Sequence, residues 1–194
     1  MKYPIGIQNF ASLRDDGYVY VDKTALIYKL VDEGRYYFLS RPRRFGKSLL
    51  ISTLEAYLSG KKDLFKGLAI EQLEKNWTAY PVMHLDLNTD RYNEVSVLKD
   101  RLNLFLSHWE TDYGRDVNEV TLSQRFEGVI QRVYDKTGRR VVILVDEYDK
   151  PLLQAIGNDP LQTEYRGILK SFYGALKSKD ACIKLAFLTG VTKF

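Results

Sequence analysis

The sequence predicts an α/β fold in which a mostly parallel sheet is covered by helices on both faces. Short apolar segments of strand length alternate along the chain with longer segments that have the apolar spacing of helices. The apolar run at residues 141–145 is rich in β-branched side chains, which is typical of a strand buried on both faces of a parallel sheet. A second apolar run, at residues 36–40, ends in a basic loop and is followed by a helical pattern. Together these observations predict three layers, α/β/α.

Length and composition indicate one soluble domain. The 194 residues are enough for a substantial core, and 45% of them are apolar while 28% are charged. The net charge of +4 permits a nucleic-acid partner without requiring one. Cys182 is the single cysteine, which excludes an internal disulfide and a cysteine-based zinc site. No apolar run could span a bilayer and the first residues lack the apolar core of a signal peptide, so we expect a cytoplasmic protein.

The first elements form an N-terminal segment, residues 1–35, ahead of a core at residues 36–194, and we assign both to a single domain. Residues 18–21 are predicted to form a short strand. Asp22 is predicted to cap a helix at residues 24–33, and Gly34 to end it. That helix is expected to turn four apolar side chains inward, namely Leu26, Ile27, Leu30 and Val31.

The core alternates strands with helices, without repeats or linkers. Gly138 is predicted to end one helix, and Pro151 suits the first turn of another. A polar connection is expected at residues 111–119. The predicted strands are residues 36–40, 81–88, 141–145 and 183–190, and the predicted helices are residues 49–58, 95–109, 122–134 and 161–176.

The loop after the first core strand has the features of a phosphate-binding loop. Backbone N–H groups at a helix N-terminus attract phosphate, and Gly46 lets the backbone approach closely because it lacks a Cβ. We expect Lys47 to reach the β- and γ-phosphates and the Ser48 hydroxyl to bind Mg²⁺. The residues predicted to hold the nucleotide are Arg43, Arg44, Phe45, Gly46, Lys47, Ser48 and Leu49.

This loop departs from the pattern G-x-x-x-x-G-K-[ST] at one position, because Arg41 stands where the first glycine is expected. Pro42 follows, and its fixed φ must shape the opening turn. A chance Gly-Lys-Ser at the start of a helix is the alternative when the loop is taken alone.

Two acidic residues follow the buried strand at residues 141–145. Asp146 is placed to hold Mg²⁺, directly or through water, and Glu147 to orient and deprotonate an attacking water. The alternative is a buried strand that simply ends in solvated acids. Because a phosphate loop precedes the pair in the chain, the pattern favours nucleotide chemistry, with Lys47 and Glu147 as the catalytic residues.

Four segments, in this order, resemble those of the bacterial AAA-ATPase-like domain. They are residues 20–24, 41–48, 144–151 and 189–194, so the resemblance covers essentially the whole chain. In that family an arginine at the first-glycine position of the Walker A loop is typical. The resemblance implies a P-loop NTPase fold, ATP and Mg²⁺ as cofactors, and a Walker B pair at Asp146 and Glu147. It also implies a PD-(D/E)XK nuclease-like domain that commonly follows in longer forms.

The resemblance implies roles for two further parts of the chain. In the resembling ATPases a polar residue senses the γ-phosphate from the end of the strand between the phosphate-loop strand and the acidic strand. Thr189 is the best match, and a threonine with only local hydrogen bonds is the alternative. The N-terminal segment would fold over the adenine. The strands that carry Ser40, Asp146 and Thr189 should end at one edge of the sheet, where open α/β folds bind ligands.

Three interpretations of the function remain open at this level. The first is a magnesium-dependent module that binds and hydrolyses ATP. The second is a nucleotide-gated regulatory module with negligible turnover, which would not need Glu147. The third is a weak, non-specific and salt-dependent nucleic-acid-binding module that uses Arg41, Arg43 and Arg44. The intact acidic pair favours the first, and no helix-turn-helix or zinc-finger pattern supports the third.

The end of the sequence leads to a last expectation. The resembling ATPases have one more strand beside the phosphate-loop strand, and helices that close over the nucleotide as a lid. If both lie beyond Phe194, the strand at residues 36–40 is at an edge of the sheet, where it can pair with another chain. We therefore expect the 194-residue chain to hydrolyse ATP slowly and to self-associate.

Overall fold

The centre of the fold is a parallel sheet within residues 1–192, which are the residues that the computed structural model describes. Its strands are β1 (Tyr36–Ser40), β2 (Val82–Asp86), β3 (Val141–Asp146) and β4 (Ile183–Gly190). In space they follow the order β1-β4-β3-β2, and each pairing is parallel. The strands that carry Ser40, Asp146 and Thr189 therefore end at one edge of the sheet, which confirms the prediction.

The helices of the described chain fill the connections between the strands. They are α1 (Phe10–Asp15), α2 (Thr24–Glu33), α3 (Lys47–Leu58), α4 (Ile70–Leu73), α5 (Val95–Tyr113), α6 (Leu122–Thr137), α7 (Lys150–Gln154) and α8 (Asp159–Ser178). Two short 3-10 turns lie at Lys62–Phe65 and Asp180–Cys182. None of the helices in residues 1–192 combines the length and the apolar character that a membrane span needs.

β3 separates two hydrophobic cores, and all its residues are buried. Its side chains Val141, Ile143 and Val145 belong to the core that includes residues of α5, α6 and α8. The alternate side chains Val142 and Leu144 belong to the core that includes residues of α2 and α3. A strand with apolar side chains on both faces is covered on both faces, so the α/β/α layers predicted from this run are confirmed.

β1 lies at one edge of the sheet in the described part of the chain, beside β4. Two of its aromatic side chains, Tyr36 and Phe38, stay partly exposed. Phe38 packs edge-on against the ring of Tyr148, with ring centroids 5.0 Å apart. The position of β1 agrees with the strand order expected from the resemblance, and β4 lies between β1 and β3 as that order requires.

Two predictions for the N-terminal segment are wrong. Residues 18–21 do not form a strand, because no strand of the sheet lies beside them; Val19 instead donates its backbone N–H to the carbonyl of Lys2 (2.8 Å). Leu26 was expected to face inward but is 66% exposed. The buried residues of α2 are Thr24, Ile27 and Val31. The buried face of the helix therefore includes the polar Thr24 and not Leu26.

Asp22 lies one position before the N-cap of α2, although it was predicted to be the N-cap itself. The N-cap residue is Lys23, and Oδ1 of Asp22 accepts hydrogen bonds from the backbone N–H (2.8 Å) and the hydroxyl (2.7 Å) of Thr24. Oδ2 accepts from the backbone N–H of Ala69 (2.7 Å), next to α4. Asp22 therefore joins α2 to α4 in addition to satisfying a free amide at the helix start.

Several helices extend beyond their predicted ends. α5 continues to Tyr113, so the connection expected at residues 111–119 is shorter. α8 begins at Asp159, where the side chain of Asn158 accepts a hydrogen bond from the backbone of Leu161. Gly138 ends α6 as predicted, with a φ of +64° that glycine adopts without strain.

Candidate functional site

A cavity of about 700 Å³ opens at the edge where the strands end. Its walls are the loop between β1 and α3, the N-terminal residues 4–8, Asn88 after β2, and the turn that follows β3. The structure thus brings the phosphate loop together with residues 146–149 at the end of β3, which we call the acidic turn. The two segments are far apart in the sequence. The predicted site residues that line the cavity are Arg43, Arg44, Gly46, Lys47, Ser48, Leu49 and Glu147.

The loop between β1 and α3 leaves its backbone amides free. Arg44 and Gly46 have left-handed φ values of +67° and +75°, and α3 begins immediately afterwards at Lys47. Within residues 1–192, the N–H groups of residues 44–49 have no protein acceptor. These amides lie at the positive end of a 12-residue helix, an arrangement that fits an anion such as phosphate.

Lys47 is bound inside the loop, and only 3% of its side chain is exposed. Its Nζ donates to the carbonyl oxygens of Arg41 (3.0 Å) and Pro42 (3.3 Å), and it forms an ion pair with Oε1 of Glu147 (3.0 Å). A lysine ammonium group has three N–H donors, so these three oxygen atoms occupy all of them. Contact between Lys47 and a phosphate therefore requires that at least one of the three partners be replaced.

Glu147 lies in a tight turn directly after β3. Its φ of +53° is in the left-handed region, which a residue with a Cβ adopts at a cost of about 1–2 kcal/mol. The backbone N–H of Lys150 donates to the carbonyl of Glu147 (3.0 Å) and closes the turn. Strained backbone of this kind persists where the surroundings impose it, and it is concentrated at functional sites.

Thr189 joins β4 to the acidic turn through three hydrogen bonds. Its hydroxyl donates to Oδ1 of Asp146 (2.5 Å) and accepts from the backbone N–H of Glu147 (3.4 Å), and its carbonyl accepts from the N–H of Tyr148 (2.8 Å). Thr189 is completely buried and is not among the cavity-lining residues. These contacts position both acids, whereas the expected contact of Thr189 with a γ-phosphate stays a prediction.

Asp146 and Ser48 are the residues predicted to hold Mg²⁺. Asp146 is 5% exposed, and the hydroxyl of Thr189 is bound to one of its two carboxylate oxygens. Ser48 lies in the first turn of α3 and lines the cavity. In the described chain, no group of three or more His, Cys, Asp or Glu side chains could hold a metal ion. One carboxylate and one hydroxyl do fit Mg²⁺ if phosphate and water oxygens complete its shell.

Asp149, for which the sequence predicts no role, is completely buried. Its Oδ2 accepts hydrogen bonds from the backbone N–H groups of Val191 (2.8 Å) and Thr192 (2.6 Å) and from the Thr192 hydroxyl (2.9 Å). Asp149 thereby fastens the acidic turn to the segment after β4. A third acid so soon after a buried strand was the signal in the sequence that could have identified it.

Asn88 and Lys150 were also missed, and both line the cavity. The Nζ of Lys150 donates to the backbone carbonyl (2.6 Å) and to the side-chain Oδ1 (2.7 Å) of Asn88. The pair closes the cavity wall between the ends of β2 and β3. Spacing in the sequence gave no indication of it, because the two residues lie on different connections.

The remaining predicted contacts lie in the basic loop. Within residues 1–192, the guanidinium groups of Arg43 and Arg44 form no hydrogen bond or ion pair, and both residues line the cavity. Phe45 is 62% exposed and is not among the lining residues. Nucleotide contacts by Arg43, Arg44, Phe45 and Leu49 stay predictions.

The part of the N-terminal segment that reaches the cavity is residues 4–8. Ser52 on α3 holds it in place: its hydroxyl donates to the carbonyl of Gln8 (2.9 Å) and accepts from the backbone N–H of Phe10 (2.9 Å). The expectation that the segment folds over the adenine stays a prediction, with residues 4–8 as the part that could do so.

A smaller cavity, of about 170 Å³, lies at the opposite end of the sheet. It is lined by residues such as Lys184 near the start of β4 and Tyr80 just before β2, and it contains none of the predicted site residues. The larger cavity is therefore the candidate functional site.

Comparison with known proteins places nearly the whole chain in one family. A family model named AAA-ATPase-like and described as a predicted AAA-ATPase matches residues 4–194. A curated relative from Azotobacter chroococcum mcd 1, described as an uncharacterized protein in the vnfD 5′ region, is 38% identical over 195 residues. The match covers 100% of this chain and 38% of the relative, so the chain spans well under half the length of the curated relative it matches.

Proposed function

The chain belongs to the AAA-ATPase-like family, and we propose that its cavity binds ATP together with Mg²⁺ and hydrolyses the terminal phosphoanhydride. The observation that carries this proposal is the meeting of two groups in one cavity. The free amides at the start of α3, with Lys47, provide a site for phosphate. The carboxylate of Glu147 lies 3.0 Å from that lysine.

The residues would divide the chemistry between binding and proton transfer. The amides of residues 44–49 and the ammonium of Lys47 would hold the phosphates. Ser48 and Asp146 would hold Mg²⁺, which when bound neutralises charge on the phosphate oxygens. Glu147 would orient a water molecule and accept its proton. Thr189 supports the proposal because it fixes the positions of Asp146 and Glu147 relative to each other.

The second candidate function is a nucleotide-gated regulatory module with negligible turnover. The observation that favours it is the Lys47–Glu147 ion pair, because it engages the proposed base with the lysine that should hold the phosphates. If nucleotide binding fails to break that pair, the positive charge of Lys47 continues to stabilise the Glu147 carboxylate and makes it a weaker base. The two functions then differ only in what happens to Glu147 after ATP binds.

Titration with fluorescently labelled ATP and magnesium tests the binding proposal. Lys47→Ala should lose most of the affinity, while Lys170→Ala, on the exposed face of α8, should retain it. Equal affinities for the parent protein and Lys47→Ala would remove the phosphate-loop assignment.

Phosphate release by the parent protein and by Glu147→Gln distinguishes the two functions. An amide cannot act as a base, so the ATPase interpretation requires that turnover be lost while binding is retained. Hydrolysis at the parent rate in Glu147→Gln would contradict the catalytic assignment. Absence of turnover in a parent protein that binds ATP would favour the regulatory module.

A further inference from the structure

Lys150 is a second lysine in the wall of the cavity, and nothing in the proposed function uses it. It lies three residues after Glu147, in the same tight turn, and its backbone N–H donates to the Glu147 carbonyl (3.0 Å). It therefore stands on the same side of the cavity as the proposed base. If Glu147 activates water for attack on the terminal phosphate, that phosphate lies at this side of the cavity.

The backbone that carries Lys150 is held firmly. The preceding residue, Asp149, is completely buried and accepts three hydrogen bonds from Val191 and Thr192. The side chain is held as well, because Asn88 accepts two hydrogen bonds from its Nζ, at 2.6 and 2.7 Å. The charge is thus fixed in position before any ligand arrives, which lowers the entropic cost of binding one.

Lys150 keeps one N–H donor and its positive charge available for an anionic ligand. All three N–H donors of Lys47 are occupied within the protein, whereas Asn88 occupies two of the three donors of Lys150. The charged side chains that line the cavity are the basic Arg43, Arg44, Lys47 and Lys150 and the acidic Glu147. Because Glu147 is paired with Lys47, the charge of Lys150 is not neutralised by a lining carboxylate.

We propose that Lys150 contacts the terminal phosphate of a bound nucleoside triphosphate and makes the site selective for the triphosphate over the diphosphate. This inference rests on the proposed function. It adds a residue that distinguishes substrate from product, because a diphosphate ends short of the Lys150 side of the cavity. Asn88 is then a positioning residue, which acts by holding the ammonium group of Lys150.

The test compares ATP and ADP affinities, each with magnesium, for the parent protein and four variants. Lys150→Met should weaken ATP binding about tenfold and ADP binding less than about twofold, since a charge-assisted hydrogen bond to the terminal phosphate is lost. Lys150→Arg should restore most of the ATP preference. Asn88→Ala should reduce the preference only partly, because the charge remains. Lys170→Met, on the exposed face of α8, is the matched control and should change neither affinity.

Other outcomes overturn the inference. If Lys150 serves only to hold Asn88, then Lys150→Met and Asn88→Ala weaken ATP and ADP binding equally, and the ATP-to-ADP ratio stays at the parent value in every variant. A parent protein that binds ATP, with an unchanged ATP-to-ADP ratio in Lys150→Met, would refute this inference and leave the proposed function standing. A parent protein that binds neither nucleotide would refute both.

Discussion

Nζ of Lys47 lies 3.0 Å from Oε1 of Glu147, and both side chains are largely shielded from water. The two residues are the proposed phosphate-binding lysine and the proposed base, and here each is the other's partner. An ion pair that is screened so little by solvent is harder to separate than a pair on the surface. A phosphate that takes the place of Glu147 on Lys47 must break this pair, and we therefore expect the pair to lower the affinity of the site.

Glu147→Gln should for this reason bind ATP more tightly than the parent protein, in addition to losing turnover. The glutamine side chain cannot form the ion pair with Lys47. The substitution also removes one negative charge from the cavity, which favours the binding of an anionic ligand. We expect the dissociation constant to fall about tenfold, equivalent to ~1.4 kcal/mol. Labelled ATP titrated with magnesium at constant ionic strength measures the change.

The matched control for that experiment is Glu164→Gln, which removes the same charge from the exposed face of α8. It should leave the dissociation constant unchanged. Weaker or equal binding in Glu147→Gln would show that the ion pair does not compete with the nucleotide. A similar gain in Glu164→Gln would show that only net charge matters.

Thr189→Val should destabilise the protein although it changes the side-chain volume very little. The substitution removes the hydroxyl that donates to Asp146 and accepts from Glu147, so a carboxylate oxygen in a nearly dry environment loses its donor. Leaving such a group unsatisfied costs about 1–3 kcal/mol. Urea unfolding should show that loss for Thr189→Val and a smaller one for Thr189→Ser, which keeps the hydroxyl. Equal stability of parent and Thr189→Val would mean that this hydrogen bond contributes nothing.

The layers of the fold could be predicted because they depend on the apolar pattern of the strands, whereas the order and edges of the sheet were expected from the resemblance alone. The five residues before Asp146 in β3 are all apolar, so β3 had to lie inside the sheet, with Asp146 at its end and Glu147 directly after it. β1, the phosphate loop and α3 form a local unit whose residues are contiguous. The confirmed fold rests on these short-range patterns together with the resemblance.

The partners of individual side chains could not be predicted, because they depend on residues brought together from distant connections. Asn88 meets Lys150 only because β2 and β3 are neighbours, and Thr189 meets Asp146 only because β4 and β3 are. The apolar spacing also placed Leu26 wrongly on the buried face of α2. Such spacing counts Thr24 as a polar residue, and it does not show that Asp22 accepts a hydrogen bond from the Thr24 hydroxyl, which allows Thr24 to be buried. Contacts of this kind have no signature in spacing.

His84 on β2 and Glu55 on α3 should make stability depend on pH. Nδ1 of His84 lies 3.0 Å from Oε2 of Glu55. Burial lowers the pKa of His84, but the hydrogen bond and the charges of Glu55, Asp86 and Asp146 outweigh it and raise that pKa overall. The hydrogen bond and the charge of His84, with that of Lys61, lower the pKa of Glu55 against the effect of burial.

The directions of the two pKa shifts define the pH range in which the pair stabilises the folded protein. The contribution of His84 is fully present below its unfolded pKa of about 6.5 and is lost as the pH rises through the higher folded value. The contribution of Glu55 is present above its unfolded pKa of about 4.5 and is lost as the pH falls through its lower folded value. The advantage of the parent protein over His84→Gln should therefore shrink from about pH 6 to pH 9. Because both groups are partly exposed, the change is at most about 1 kcal/mol; urea unfolding at both pH values measures it, and a constant difference would contradict the assignment.

Gly190, the last residue of β4, should not accommodate a side chain without displacing its neighbours. A Cβ placed there would lie 2.7 Å from Oδ1 of Asp149 and 2.7 Å from two ring carbons of Tyr148. Asp149 is completely buried and is bound through its other oxygen to Val191 and Thr192. Tyr148 packs edge-on against Phe38 and donates its hydroxyl to the carbonyl of Thr192 (3.1 Å), so neither neighbour can move freely. Gly190→Ala must therefore displace the acidic turn, and we expect a loss of about 1–3 kcal/mol from overpacking.

Gly174→Ala is the matched control for Gly190→Ala, because a Cβ at this exposed position in α8 would meet no atom within 4 Å. Alanine in a helix interior should instead stabilise by about 0.5–1 kcal/mol. Urea unfolding of both variants should thus give shifts of opposite sign. If Gly190→Ala also loses turnover while its fold is retained, the displaced turn carries a catalytic group, as proposed for Glu147. A Gly190→Ala variant that is as stable as the parent protein would show that Tyr148 and Asp149 are not held against β4 as described.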